Sequence, residues 1–168
     1  MIKISTLIIL FFLECNRQDN SVQKQIELQF LLNYLQTRNP SSSVQSSCFT
    51  YMNTEALCIT TPDVVSNSCS ESEIKRVREL INPTEKRTDA ILLAFFSCWN
   101  KCVSLYNTAD PICTGSKYAT TKTYREKVKS GQTTASASWG SCMTTCNNGK
   151  SEEEGLKGSN ATFTGQPF

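Results

Sequence analysis

FFSCWNKC, residues 95–102, decides how the rest of the chain is read. Cys98 and Cys102 stand four positions apart, one turn of helix, so both thiols lie on one face. Aromatic residues surround them, and the chain contains no histidine. Three uses compete for such a pair. Structural zinc favours C-x2-C knuckles or histidine partners, and here the spacing is three. A redox pair favours C-x-x-C at a helix start, where the thiol pKa falls, whereas this pair sits late in its helix. A disulfide staple needs only two thiols facing another helix. The stretch therefore reads as a staple, and no metal or cofactor is expected.

The same C-x3-C spacing returns at Cys142 and Cys146. From Cys58 onward the numbers of residues between neighbouring cysteines are 10, 28, 3, 10, 28 and 3. Each cysteine from 58 to 102 thus has a twin 44 positions on. Phe95 and Trp139, Ser97 and Ser141, and Arg78 and Lys122 also agree in kind. This pattern predicts a diverged internal duplication of helical hairpins, with units at about 22–58, 59–102 and 103–146. The fold class expected is all-α and disulfide-stapled.

Hydrophobic periodicity places the helices. Ser70 and Glu73 form a capping box ahead of a helix through Ile74, Val77, Leu80 and Ile81, which Asn82-Pro83 ends. Thr84 is expected to cap a central helix running to about Asn107. Its middle, through Ile91, Leu92, Phe95, Phe96 and Trp99, is apolar on nearly every side. Ser116 to about Ser130 reads as a polar helix, and Thr133 to Cys146 as another. Upstream, Lys24 to Thr37 is amphipathic through Leu28, Leu31, Leu32 and Leu35, with Ser43 to about Cys58 as its partner. In an antiparallel hairpin turning at Asn82-Pro83, Cys69 lies opposite Cys98. The favoured pairing is therefore Cys69–Cys98 and, by the repeat, Cys113–Cys142. A competing scheme joins Cys58 to Cys69 and Cys102 to Cys113. The partners of Cys48, Cys58, Cys102 and Cys146 stay open in the favoured scheme.

The first 15 residues set the compartment. Lys3 precedes an apolar run from Ile4 to Leu13, which suits a secretory signal and is too short to span a bilayer. A buried N-terminal helix is the plainer alternative. Nine cysteines become eight after cleavage near Cys15, namely Cys48, Cys58, Cys69, Cys98, Cys102, Cys113, Cys142 and Cys146. An even set behind a signal implies an oxidised, secreted, extracellular protein. The domain plan is a signal at 1–15, a cysteine-rich helical domain at 16–146 and a tail at 147–168. The tail is expected to be disordered, since it has little to bury. Asn160-Ala161-Thr162 within it is a glycosylation sequon. No second hydrophobic segment suggests a transmembrane anchor.

Twin C-x3-C pairs on a helical hairpin resemble small mitochondrial carrier-chaperones and plant α-hairpinins, though both keep a much shorter stretch between pairs than the 39 residues here. The spacing Cys69, Cys98, Cys102, Cys142 is similar to the opening of the insect odorant-binding pattern and departs from it at Cys146. That likeness implies a carrier of hydrophobic ligands, with Phe95, Phe96, Trp99 and Trp139 as ligand or core residues.

The composition narrows function by exclusion. A net charge of +2 does not indicate a nucleic-acid partner. Without histidine there is no Ser-His-Asp or Cys-His centre. Glu71, Glu73 and Glu79 fit caps and an exposed helix face, and Glu152, Glu153 and Glu154 fit a solvated tail. Lys122, Arg125 and Lys129 recur at helical spacing, as a solvated face or a contact for an anionic glycan or lipid headgroup. The reading is a non-enzymatic protein that binds an extracellular protein or glycan. A hydrophobic-ligand carrier stands second and a carboxylate-dependent hydrolase third.

Overall fold

The architecture comes from a computed structural model, which describes residues 43–63, 65–165 and 167. The expected signal at 1–15 and the helix at Lys24 to Thr37 lie outside the described residues. The rest is mostly helical.

Helix α1 spans Ser43–Ala56. Val44, Cys48, Tyr51, Met52 and Glu55 are its buried positions, at helical spacing. Strand β1, Ile59–Thr61, follows, then the short α2, Val65–Ser68. Helix α3, Glu71–Glu79, starts where the Ser70 hydroxyl accepts from the Glu73 N–H and buries Ile74 and Val77. Strand β2, Ile81–Asn82, precedes a cis Asn82-Pro83 bond and a 3-10 turn at Thr84–Lys86. The central helix α4 is Asp89–Ala109. Its cap is Thr88, whose hydroxyl accepts from the Ile91 N–H at 3.3 Å, and not the expected Thr84. Asp110 and Pro111 close it and open α5, Pro111–Gly115. Strand β3, Tyr118–Thr120, and helix α6, Thr121–Lys129, occupy the stretch expected to be one helix. Helix α7, Thr134–Asn147, starts close to its expected boundary, where the Thr133 hydroxyl accepts from the Ser136 N–H. Strand β4 is Thr162–Phe163.

Helix α4 packs chiefly against α1 on one side and α7 on the other. That explains why its middle is apolar around most of its circumference. Trp99, Phe95, Phe96 and Leu92 are fully buried. Trp99 meets four rings: Phe95 at 5.4 Å, Phe96 at 5.3 Å, Phe163 at 4.7 Å and Tyr51 at 6.4 Å. A second core cluster gathers Cys58, Ile59, Tyr106, Tyr118, Tyr124, Val128 and Ala135. Two small sheets add to the helices: β1 pairs with β3 in parallel, and β2 with β4 antiparallel.

All eight cysteines among the described residues are bridged, as Cys48–Cys69, Cys58–Cys113, Cys98–Cys146 and Cys102–Cys142. Neither expected pairing scheme holds. The favoured one assumed that α3 folds back on α4, whereas α4 lies between α1 and α7. The twins Cys69 and Cys113 take Cys48 and Cys58 as partners, so the bridges do not repeat at the 44-residue offset. The two C-x3-C pairs instead face each other on α4 and α7, and the crossed numbering makes those helices antiparallel.

The tail is a second correction, because residues 147–165 fold back onto the domain. Leu156, Ala161 and Phe163 are buried. Ile81 pairs with Phe163, and the Leu80 carbonyl accepts from the Thr164 N–H at 2.9 Å. Three well-placed apolar side chains and one strand ladder suffice to order this polar stretch. Gly149 starts the return with a φ of 62°. A β-carbon there would lie 2.1 Å from the Ala161 carbonyl oxygen. Gly149→Ala is therefore expected to cost about 2 kcal/mol, through left-handed backbone and a steric clash. A lowered denaturation midpoint, with faster proteolysis after residue 147, would register it.

Candidate functional site

Four elements surround a partly enclosed hollow. Helix α1 contributes Tyr51 and Glu55, α4 Val103, α6 Tyr124, Arg125, Val128 and Lys129, and α7 Trp139 and Met143, with Pro167 at one side. Its cavity measures about 20 Å³, room for about one water molecule. Glu55 lies on the buried face of α1 and is 4% exposed. Arg125 reaches it with two parallel hydrogen bonds, Nε to Oε1 at 2.8 Å and Nη2 to Oε2 at 2.6 Å. This fork geometry neutralises both charges where water is scarce. Burial raises the Tyr51 and Tyr124 hydroxyls well above the usual phenol range, and the Glu55 charge adds to it. Both hydroxyls are therefore protonated at neutral pH.

Arg125→Met would leave the Glu55 carboxylate buried without its partner. The expected cost is about 2 kcal/mol, below that of a fully buried pair because a quarter of the Arg125 side chain meets solvent. Replacing both residues by Met is expected to restore most of the loss, which a denaturant double-mutant cycle would measure.

A shallow hollow on the outside of α6 is lined by Asp63, Thr121, Lys122, Arg125, Glu126 and Lys129. Here lies the expected basic stripe, and two of its three cations have carboxylate partners. Arg125 pairs with Glu55, and exposed Lys122 stands 4.0 Å from Glu126. Lys75, Arg76 and Arg78 make a second basic cluster on α3, and two of its three cations are engaged in the same way. Arg76 bonds Glu73 and the Pro167 carbonyl, and Arg78 bonds Asp89 and the Arg87 carbonyl.

At the end of α4 a buried polar network joins Asp110 to two tyrosines. The Tyr118 hydroxyl donates to Asp110 Oδ2 at 2.5 Å, and the Tyr106 hydroxyl lies 3.0 Å from that of Tyr118. Burial alone would raise the Asp110 carboxyl. The tyrosine hydroxyls and the Ile112 N–H outweigh it and hold the group below its ordinary value. Glu153 behaves alike: burial raises it, and Lys101 and Ser97 lower it further than that. A depressed native pKa adds stability that is complete above the unfolded carboxyl range, about 4, and is lost as pH falls through the native value. Stability is thus expected to drop below about pH 4, and Asp110→Asn to flatten that drop. Midpoints measured across the acid range would show it.

Among the aromatics expected to hold a ligand or form the core, Phe95, Phe96 and Trp99 are sealed in the core. Trp139 alone of these lines the hollow, and its buried Nε1 has no hydrogen-bond partner among the described residues. Glu153, expected to be solvated in the tail, bonds Ser97 at 2.6 Å and pairs with Lys101. Asn160 is exposed two positions before β4. The sulfurs of Cys102, Cys142 and Cys146 lie within 4.8 Å of one another, but all three belong to disulfides and offer no thiolate to a metal. Sequence reasoning missed the Glu55–Arg125 pair. Its one local signal is that Glu55 continues the Cys48, Tyr51, Met52 face of α1.

On the surface, two large apolar side chains flank one cross-link. Leu57 is 68% exposed and Ile112 is 37% exposed. They precede Cys58 and Cys113, whose Cα atoms are 4.9 Å apart. Leu105, on the outer face of α4, is a third exposed apolar side chain. Among the described residues no helix is long and apolar enough to cross a membrane. Comparison with protein-family models, with curated proteins and with solved structures yields no match.

Proposed function

We propose that this is a secreted, non-enzymatic protein that acts outside the cell by binding another macromolecule. The observation that carries the reading is the exposed pair Leu57 and Ile112, mounted on the Cys58–Cys113 bridge. Apolar side chains held in water on a cross-linked support favour a protein partner over a glycan. Four disulfides agree with an oxidising compartment. Asn160, exposed in its sequon, is available for a glycan if the protein passes through a glycosylating secretory route.

The test is saturable binding of the labelled, secreted protein to cell surfaces. Leu57→Asp with Ile112→Asp is expected to weaken it at least about tenfold, with the disulfide map and circular dichroism unchanged. Undiminished binding by that variant would defeat the assignment of the surface. The carrier reading keeps one favourable observation, the unpartnered Trp139 indole beside the hollow. That cavity of about 20 Å³ is far below what drug-sized ligands occupy, and the roomier hollow outside α6, about 310 Å³, is shallow and lined by charged side chains, so no saturable uptake of a fluorescent apolar probe is expected.

A further inference from the structure

The two bridges between α4 and α7 are stacked closely enough to exchange partners. Cys102 Sγ lies 3.5 Å from Cys146 Sγ, although the two are not bonded to each other. Exposure is graded across the four cysteines: Cys98, Cys102 and Cys146 are buried, and Cys142 is only partly buried. We propose that Cys142 is an acceptor site for low-molecular-weight thiols, and that the displaced sulfur is passed inward across the Cys102–Cys146 contact.

Each step balances without an oxidant or reductant. An entering thiolate attacks Cys142 Sγ, forms a mixed disulfide there and breaks the Cys102–Cys142 bond. Cys102 leaves as a thiolate, already in van der Waals contact with Cys146 Sγ. Its attack forms a Cys102–Cys146 bond and breaks Cys98–Cys146. Cys98 takes up the proton that the entering thiol gave away. One thiol is consumed and one appears, and the number of disulfides is unchanged. Exchange of this kind runs through thiolate attack on an accessible sulfur, and Cys142 is the least buried residue of the four. Because Cys102–Cys146 also ties α4 to α7, the helices stay joined throughout. The chain would accept a thiol covalently without opening its core.

The experiment adds mercaptoethanol to the intact secreted protein until half of the Cys102–Cys142 peptide is lost, then alkylates and maps the four cysteines. The expected product carries mercaptoethanol on Cys142, the alkyl label on Cys98 and a new Cys102–Cys146 link. An alkyl label on Cys102 with Cys98–Cys146 intact would overturn the proposal. Cys142→Ser supplies an independent arm. Its unpaired thiol is expected to be shared between Cys98 and Cys102, with at least a tenth of Cys146 linked to Cys102. If all of that thiol sits on Cys102, the contact does not exchange and the idea is wrong. Should Cys142→Ser fail to fold, the wild-type map decides alone.

Discussion

Replacing Cys98, Cys102, Cys142 and Cys146 by Ala is expected to destabilise the protein by about 6 kcal/mol, and removing either bridge alone by about 2.5 kcal/mol. The inequality is the informative part. The bridges close separations of 48 and 40 residues, each alone worth about 4 kcal/mol in the chain-entropy model. They are nested, however. Once one is formed, the other closes only the small ring made by residues 98–102 and 142–146. Its added restriction of the unfolded chain is correspondingly smaller, so the pair removed together costs more than the two single losses summed. A domain of this size has about 5–15 kcal/mol in all, so the fourfold variant would retain little net stability. Denaturant titrations of the wild type, both single-bridge variants and the fourfold variant test the ordering. Equal costs for one bridge and for both would refute it.

Trp99→Ala is expected to cost about 4–5 kcal/mol, near the top of the range for a core truncation. Three contributions add. The side chain is fully buried among Tyr51, Phe95, Phe96 and Phe163, and the cavity left behind would be lined by rings that cannot collapse into it. Its Nε1 donates to Asn147 Oδ1 at 2.8 Å, so the last residue of α7 would lose a buried donor. Phe163 on the returning tail would also lose its nearest ring, at 4.7 Å. Trp99→Phe keeps an aromatic face and gives up the hydrogen bond, for an expected cost of about 2 kcal/mol. Denaturation midpoints with m-values would separate the two variants. A Trp99→Ala cost below about 1 kcal/mol would mean that this ring cluster is not the centre of the core.

Both effects rest on a helix that was legible before its partners were. The apolar middle of α4 is visible in residues 91–99, because a helix flanked on two sides must be apolar on two sides. Helix α7 was readable from the spacing of its apolar residues, and α1 as the hairpin partner of the Lys24 to Thr37 segment. Strand β3 was not. Tyr118, Ala119 and Thr120 form too short a run for alternation to show, and the parallel pairing with Ile59–Thr61 is set by the Cys58–Cys113 bridge and not by local preference. The disulfide map was not legible either. Sequence order suggested that α3 and α4 fold together, yet packing on α4 is decided by which faces are apolar, and its faces go to α1 and α7. The twin C-x3-C spacing carried the right information in a different sense. Two equal spacings of three residues are what a double cross-link between antiparallel helices requires, with or without a duplicated unit. The tail was misread because Leu156, Ala161 and Phe163 are spaced among glycine and polar residues. The burial of Phe163 depends on its pairing with Ile81 and its contact with Trp99, which no local pattern reveals.

At the candidate site the balance is similar. The basic residues of α6 were visible as a stripe, but their neutralisation was not, since Glu55 lies 70 positions from Arg125 in the chain. The exposure of Leu57 and Ile112 likewise follows from three-dimensional placement beside a bridge between distant residues.

Four cross-links, two of them joining α4 to α7, do more than the size of the apolar interior to hold the fold together. Non-reducing peptide mapping of the purified protein tests this most directly. The account predicts Cys48–Cys69, Cys58–Cys113, Cys98–Cys146 and Cys102–Cys142 as the dominant linked peptides. A map dominated by Cys69–Cys98 and Cys113–Cys142, or eight free thiols in folded material, would contradict it.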